Sequence, residues 1–104
     1  MIKIFSSLEE AVRAVPIGKI RLLIINNKKI GLVHTKMGFR AFDNACQHQH
    51  EPLHKGLITP YGEVVCPLHH YRYNLETGQE AENRCNAMHI YAVKTNRHGL
   101  FIEI

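Results

Sequence analysis

Two short pairs of cysteine and histidine constrain the fold of this chain more than any other feature. One pair is Cys46-Gln47-His48, and the other is Cys66-Pro67-Leu68-His69. A thiolate is a soft ligand that suits zinc and iron–sulfur clusters, whereas a neutral imidazole suits iron, zinc or copper. The sequence therefore predicts a metal site built from two separate segments.

The make-up of each pair favours a two-iron cluster over structural zinc. Structural zinc sites more often pair like with like, with two neighbouring cysteines followed by two neighbouring histidines. Here each pair holds one cysteine and one histidine, as in centres where one iron carries two thiolates and the other two imidazoles. A Cys2His2 zinc module is the alternative, and accidental spacing of buried cysteines is a third interpretation.

The residues around these pairs resemble the Rieske-type ferredoxins, in which a Cys-x-His pair and a Cys-x-x-His pair lie on two loops. Residues 39–43 are similar to the strand that enters the first loop, and Pro52-Leu53 to the far side of that loop. Residues 72–78 are similar to the strand and turn that leave the second loop. The resemblance covers nearly the whole chain and is strongest in the middle.

The resemblance implies a [2Fe–2S] cluster as the cofactor. Two cysteines would bind an inner iron, and two histidines would bind an outer iron near the surface. The expected ligands of the cluster and its metal are Cys46, His48, Cys66 and His69, with no catalytic residue.

Local signals predict short strands and a single helix. A strand is expected at residues 2–5, after which Ser7 and Glu10 have the spacing of a capping box and Pro16 stops the helix. Asn26-Asn27-Lys28-Lys29 predicts a hairpin turn, because asparagine tolerates the left-handed backbone that tight hairpins need. Residues 79–88 show no clear periodicity. The remaining strands are predicted at residues 19–25, 30–34, 39–42, 61–65 and 71–75, with a last hairpin between residues 90–94 and 100–104.

These elements, together with the family resemblance, predict an all-β fold. The expected architecture is a Rieske-like antiparallel β-sandwich or barrel that carries a small cluster-binding subdomain made of two loops. The subdomain is expected at about residues 43–75 of a single domain spanning residues 1–104, since a chain of 104 residues is long enough for one modest core.

Composition indicates a globular protein of a reducing compartment. The chain is 45% hydrophobic and 21% charged, and no apolar run approaches the roughly 20 residues that a membrane-spanning helix needs. The N-terminus shows no secretion signal, so the expected location is the cytoplasm, away from membranes. Cys85 lies outside the two pairs and is expected to be an unpaired structural thiol.

The thirteen Lys and Arg residues are scattered along the chain, and Lys28-Lys29 is the only adjacent pair. A nucleic-acid partner is therefore not expected, because such binding needs a basic stripe or patch. The net charge of +4 instead favours acidic protein partners through electrostatic steering.

Histidines stand at two positions where the family usually has glycine. These are His50, after the first pair, and His70, directly after the second. Because glycine adopts positive φ at little cost, these residues predict either altered loop geometry or positions that tolerate a side chain. His50 and His54 also have the spacing of a helical zinc pair, but Pro52 between them argues against a helix.

Four residues bear on how the cluster would be tuned. Tyr73 matches a tyrosine that bonds to a cluster sulfur in the respiratory-complex Rieske proteins, and sheet packing is its alternative role. Glu51 and Leu68 stand where those proteins have a disulfide, and Tyr71 stands where they have a serine donor. The resemblance is therefore to soluble ferredoxins of lower reduction potential.

The resemblance implies a soluble one-electron carrier that passes electrons from a reductase to a terminal oxygenase or a similar redox enzyme. Its partners would be redox proteins, and the chain is expected to be a monomer and not an enzyme by itself. Two alternatives stay open: a redox or regulatory subunit bound permanently to a larger enzyme, and a zinc-stabilised Cys2His2 binding module. Colour separates the zinc module from the others, because zinc has no redox or d-electron transitions.

Overall fold

Short antiparallel strands dominate the structure, a computed structural model that describes residues 1–48 and 50–104. They form three separate sheets. The predicted all-β antiparallel fold is confirmed, as open sheets that do not close into a barrel within the described ranges. The strands are β1 (Ile2–Phe5), β2 (Ile20–Ile25), β3 (Lys28–Thr35), β4 (Gly38–Asp43), β5 (Leu57–Ile58), β6 (Glu63–Val65), β7 (Arg72–Asn74), β8 (Ile90–Tyr91), β9 (Val93–Asn96) and β10 (Gly99–Ile102). Their order in the three sheets is β1-β10-β9, β2-β3-β4-β8 and β5-β6-β7.

The helix and the first hairpin form where the sequence predicts them. Helix α1 (Leu8–Ala14) starts after Ser7, whose Oγ accepts a hydrogen bond from the Glu10 N–H at 3.1 Å. Asn26 and Asn27, between β2 and β3, have φ of 51° and 66°, as a tight hairpin with the right-handed strand twist requires. Seven residues are too few for α1 to span a bilayer, and no other helix in the two described ranges can do so.

The sheet β2-β3-β4-β8 is a middle layer with a different core on each face. Successive strand residues point to opposite faces, so Ile30 and Leu32 enter the core shared with β1 and β10. Val33 and Phe42 enter the second core, beneath β6 and β7. All four side chains are fully buried, and each contributes about 1.5–3 kcal/mol of hydrophobic stabilisation. The third sheet, with its loops, is thereby fixed to a packed layer.

Residues 79–88 fold back against β7. The Ala81 N–H donates to the Arg72 carbonyl at 2.8 Å, and the Met88 N–H donates to the Gly78 carbonyl at 2.8 Å. Gly78 has φ of 80°, and a Cβ there would lie 1.8 Å from the Met88 carbonyl oxygen, so a side chain is excluded. This segment therefore covers the strand that leaves the second Cys/His pair.

The prediction of one strand at residues 90–94 is wrong. β8 ends at Tyr91 and pairs with β4, whereas β9 begins at Val93 and pairs with β10. The chain therefore changes sheet at Ala92. An apolar run indicates that a segment is extended and buried, but it does not say which strand lies beside it.

Candidate metal centre

The two Cys/His pairs lie on loops with the same backbone hydrogen-bond pattern. The Cys46 N–H donates to the carbonyl five residues later at 2.9 Å, and the Cys46 carbonyl accepts from the N–H four residues later at 2.6 Å. The second loop repeats both bonds at Cys66, at 2.8 and 3.0 Å. The first loop follows β4, and the second is the tip of the β6–β7 hairpin, as the sequence predicts. Both loops therefore extend from sheets.

The two cysteine side chains lie inside the protein, next to each other. Cys46 and Cys66 are each 1% exposed. Burial raises the pKa of the Cys66 thiol and the adjacent Cys46 raises it further, whereas the backbone N–H groups of Leu68 and His69 donate to the sulfur and lower it. Those donors stabilise negative charge on sulfur, so the pair is suited to a metal that displaces the thiol proton.

The two histidine side chains lie outside the thiols. His48 and His69 are exposed, and their ring centroids are 5.1 Å apart with planes tilted by 59°. The four residues singled out by the sequence are thus brought together as a buried thiol pair and an exposed imidazole pair.

Tyr73 connects the buried thiols to a third cysteine. Its hydroxyl oxygen lies 3.0 Å from the Cys46 sulfur and 3.4 Å from the Cys85 sulfur. Burial raises the pKa of the Tyr73 phenol, and the two neighbouring sulfurs raise it further, so the hydroxyl keeps its proton. Tyr73 is also fully buried in the second core. It therefore combines the two roles raised by the sequence, contact with a ligand sulfur and packing of the sheet.

A stack of planar groups supports His48. The Tyr71 ring is parallel to the His48 ring within 7°, with centroids 4.3 Å apart, and the Arg84 guanidinium lies 3.7 Å from the Tyr71 centroid. Arg84 donates to the Glu80 carboxylate from Nε at 3.0 Å and from Nη2 at 2.8 Å. These bonds lower the pKa of the buried Glu80 carboxyl to about 2. Glu80 thus fixes the arginine that stacks on Tyr71.

Asn44 ties the start of the first loop to the short turn that follows it. Its Oδ1 accepts from the His54 backbone N–H at 2.7 Å, which leaves Nδ2 facing the His54 ring Nδ1, also at 2.7 Å. Since Nδ2 can only donate, the ring proton of neutral His54 is on Nε2. Asn44 is buried and His54 is half-buried, so these two hydrogen bonds are partly shielded from water.

Comparison with known families identifies the kind of centre. The model of a family described as "Rieske [2Fe-2S] domain" matches residues 7–95. The chain belongs to this Rieske family. Its cofactor is a [2Fe–2S] cluster, as the resemblance implies. The residues present fit that group, because two adjacent buried thiols and two adjacent exposed imidazoles are the donor set of a centre with differently ligated irons.

Named relatives of this Rieske domain include a ferredoxin component. The domain is 29% identical over 62 residues to the ferredoxin component of the alkene monooxygenase system of Xanthobacter autotrophicus Py2, covering 60% of this chain and 51% of that protein. The match therefore spans about half the length of this curated relative.

Solved structures show the same fold over nearly the whole chain. The ferredoxin of carbazole 1,9a-dioxygenase from Nocardioides aromaticivorans IC177 has a TM-score of 0.82 at 19% identity, covering 98% of this chain and 97% of that one. The complex of oxygenase and ferredoxin in carbazole 1,9a-dioxygenase contains a chain with a TM-score of 0.80 at 18% identity, covering 98% and 100%. A Mycobacterium tuberculosis protein described as a "putative NADH-dependent nitrite reductase small subunit" has a TM-score of 0.77 at 12% identity, covering 96% and 93%.

The two histidines at the usual glycine positions keep the left-handed backbone. His50 has φ of 58° and His70 has φ of 59°, inside the region that glycine favours. Both residues are exposed. Of the two possibilities raised by the sequence, the second is therefore right: the Rieske loops bend in the left-handed region and tolerate a side chain there.

Three supporting residues of the Rieske site were not found by sequence reasoning. Asn44, Glu80 and Arg84 act through partners whose proximity depends on the fold. The charge pair of Glu80 and Arg84 at helical spacing was a visible signal, but nothing local indicated that the arginine stacks on Tyr71. Cys85 was expected to be structural, and its contact with Tyr73 gives it a second possible role.

Proposed function

We propose that Cys46 and Cys66 bind one iron of the cluster and that His48 and His69 bind the other. The support is the separation of the two donor types, since the thiols are buried together and the imidazoles are exposed together. Soft thiolates and neutral imidazoles on separate irons are what gives such a centre its asymmetry.

When bound, the cluster takes up and releases one electron. The chain's own residues prepare each side for that role. The second core excludes water from the two sulfurs, and the Tyr73 hydroxyl, 3.0 Å from the Cys46 sulfur, would donate to that sulfur once it binds iron as a thiolate. The stack of Arg84 on Tyr71 and Tyr71 on His48 holds an exposed imidazole in one plane. Electrons would therefore enter and leave at the imidazole end.

The proposed function is that of a one-electron carrier between a reductase and a terminal oxygenase or a similar redox enzyme. The observation that carries it is the exposure of both imidazoles, directly outside a buried thiol pair. The relative from the alkene monooxygenase system is itself a ferredoxin component. By itself the chain would carry electrons and would not transform a substrate.

The proposed partners are redox proteins that dock at the imidazole end. A groove at His69 is lined by side chains that include His70, Arg72, Glu82 and Arg84. Arg84 already pairs with two carboxylates of the chain, and Arg72 lies 3.9 Å from Glu63. The net charge of +4 on the whole chain favours a partner surface that carries carboxylates. We propose that the carrier works as a monomer in the cytoplasm.

The proposed cluster-binding subdomain spans about residues 43–75. Its first residue ends β4, and its last residue follows β7 directly. The range contains both hydrogen-bonded loops and the third sheet. Gln49, within the first loop, lies outside the described residues.

Metal analysis and redox titration test the proposal. Purified protein is expected to be coloured, to contain iron and acid-labile sulfide in equal amounts, and to accept one electron per chain in a dithionite titration. The reduced protein should then be reoxidised by a terminal oxygenase at a rate that falls with salt. Folded, colourless protein with stoichiometric zinc would contradict the cluster, and a redox-active cluster that exchanges electrons with no partner would contradict the carrier.

A permanently bound subunit of a larger enzyme is the second candidate. The favouring observation is the shared fold with the nitrite reductase small subunit, which extends over 96% of this chain. The two functions differ in how the chain associates with its partner. Isolation from its native host decides: a carrier separates from its partners by gel filtration, whereas a subunit co-elutes with a large enzyme at fixed stoichiometry.

A further inference from the structure

The geometry points to Cys85 as a positioning residue for the redox centre. Its thiol donates a hydrogen bond to Tyr73 and thereby holds the Tyr73 hydroxyl as a donor to Cys46. Two contacts form this series of hydrogen bonds. The Cys85 sulfur lies 3.4 Å from the Tyr73 oxygen, and that oxygen lies 3.0 Å from the Cys46 sulfur. The inference rests on the proposed role of Cys46 as an iron ligand.

Chemistry fixes the direction of the two hydrogen bonds. A sulfur that binds iron as a thiolate has no S–H and can only accept, so the single proton of Tyr73 points to Cys46. The Tyr73 oxygen is then left with lone pairs facing Cys85. The thiol of Cys85 is a weak donor, and its proton completes the order Cys85 to Tyr73 to Cys46.

The returning segment holds Cys85 against Tyr73. Glu80 pairs with Tyr73 through an isolated antiparallel bridge, and the backbone N–H of Arg84 donates to the Glu80 carboxylate at 2.9 Å. Cys85 follows Arg84 directly and is half-buried against the second core. Glu80 and the residue directly before the thiol are thus held in place, which favours a lasting contact over an occasional one.

The expected effect on the cluster follows from the order of donors. A hydrogen bond to a cluster sulfur stabilises the reduced form, which carries more negative charge, and so raises the reduction potential. A hydrogen bond donated to the Tyr73 hydroxyl strengthens the bond that this hydroxyl donates to Cys46 by about 10–30%. Loss of the Cys85 thiol should therefore change the ratio of reduced to oxidised cluster at a fixed potential about twofold, or about 18 mV at 59 mV per tenfold.

Midpoint potentials of four variants test the inference by voltammetry on the cluster-loaded protein. Cys85→Ala should lower the potential by about 18 mV, and Cys85→Ser, which keeps a donor, should match or exceed the parent. Tyr73→Phe should cause a larger drop, because it removes the direct donor to Cys46. In the Tyr73→Phe background, Cys85→Ala should have no effect, because no hydroxyl is left for the thiol to hold.

Controls separate this chain of hydrogen bonds from core packing. Met88→Leu changes a fully buried side chain of the same core and should leave the potential at the parent value. Cys85→Val replaces Cys85→Ala if the smaller residue does not retain the cluster. The role of Cys85 is overturned if the potential is unchanged when Cys85 is replaced by Ala or Val. It is also overturned if that replacement shifts the potential equally in the parent and in the Tyr73→Phe background. A parent protein with no reversible couple would instead overturn the proposed function.

Discussion

His50 and His70 occupy equivalent places in the two loops, with φ of 58° and 59°. Each donates its N–H to the carbonyl of the cysteine four residues earlier, at 2.6 and 3.0 Å. A residue with a Cβ in this region is disfavoured by about 1–2 kcal/mol relative to the right-handed one. The two tight loops are therefore kept at some cost in backbone strain.

His70→Gly should stabilise the protein by up to about 1 kcal/mol, because the relief of strain exceeds the extra entropy that glycine has in the unfolded chain. His70→Ala keeps the Cβ and should give no such gain. Urea unfolding followed by circular dichroism measures the difference. His98→Gly is the control, since His98 is exposed and has no positive φ, and it should lower stability. If His70→Gly lowered the free energy of unfolding as much as His98→Gly does, the proposed backbone strain at His70 would be contradicted.

Glu80→Gln should destabilise the protein at neutral pH. The folded-state pKa of Glu80 is lowered from 4.5 to about 2, so its ionised form stabilises the fold above pH 4.5 and this contribution is lost as the pH falls toward 2. The expected loss at pH 7 is about 3 kcal/mol, and the gap between the variant and the parent should shrink by pH 3. Unfolding free energies at both pH values measure it.

Glu82→Gln is the matched control for Glu80. Glu82 also pairs with Arg84, at 3.2 Å, but its side chain is 65% exposed. An exposed pair contributes about 0–1 kcal/mol, so this variant should show little pH dependence. Equal behaviour of the two variants would contradict the importance of the buried carboxylate.

Asn44→Ala should loosen the first loop. The variant leaves the partly buried His54 N–H and ring nitrogen without their Asn44 partners, which costs about 1–3 kcal/mol. The cluster should also be lost faster to a chelator, because the loop that carries Cys46 is less constrained. Asn96→Ala removes a hydrogen bond of similar length in an exposed turn and should leave cluster loss unchanged. If Asn44→Ala and Asn96→Ala lost the cluster at the same rate, Asn44 would have no role in constraining the first loop.

His69→Cys should lower the reduction potential of the cluster. The change replaces a neutral ligand by an anionic thiolate, which favours the oxidised state. Voltammetry compares the variant with the parent and with His70→Ala, which alters the exposed neighbour. A potential of His69→Cys at or above that of the parent would show that His69 is not a ligand.

The sequence predicted those parts of the fold and site that depend on short segments. Asn26 and Asn27 predicted the first hairpin because their left-handed conformation is a property of the residues themselves. The spacing of Cys46 with His48 and of Cys66 with His69 predicted the four candidate ligands, since each pair is held by a single loop.

Contacts between distant segments could not be predicted in the same way. Arg84 and Cys85 reach Tyr71 and Tyr73 because Gly78 lets the chain return, and no periodicity in residues 79–88 indicates that path. The division between β8 and β9 was missed for the same reason, as the choice of neighbouring strand belongs to the packed fold.

Whether two histidines share one iron is tested most directly by pulsed EPR of the reduced protein labelled with nitrogen-15 in histidine. The proposed arrangement predicts hyperfine coupling of the unpaired electron to nitrogens of two histidine side chains, with one coupling lost in His48→Cys and the other in His69→Cys. Coupling to no histidine nitrogen, or to only one, would contradict it.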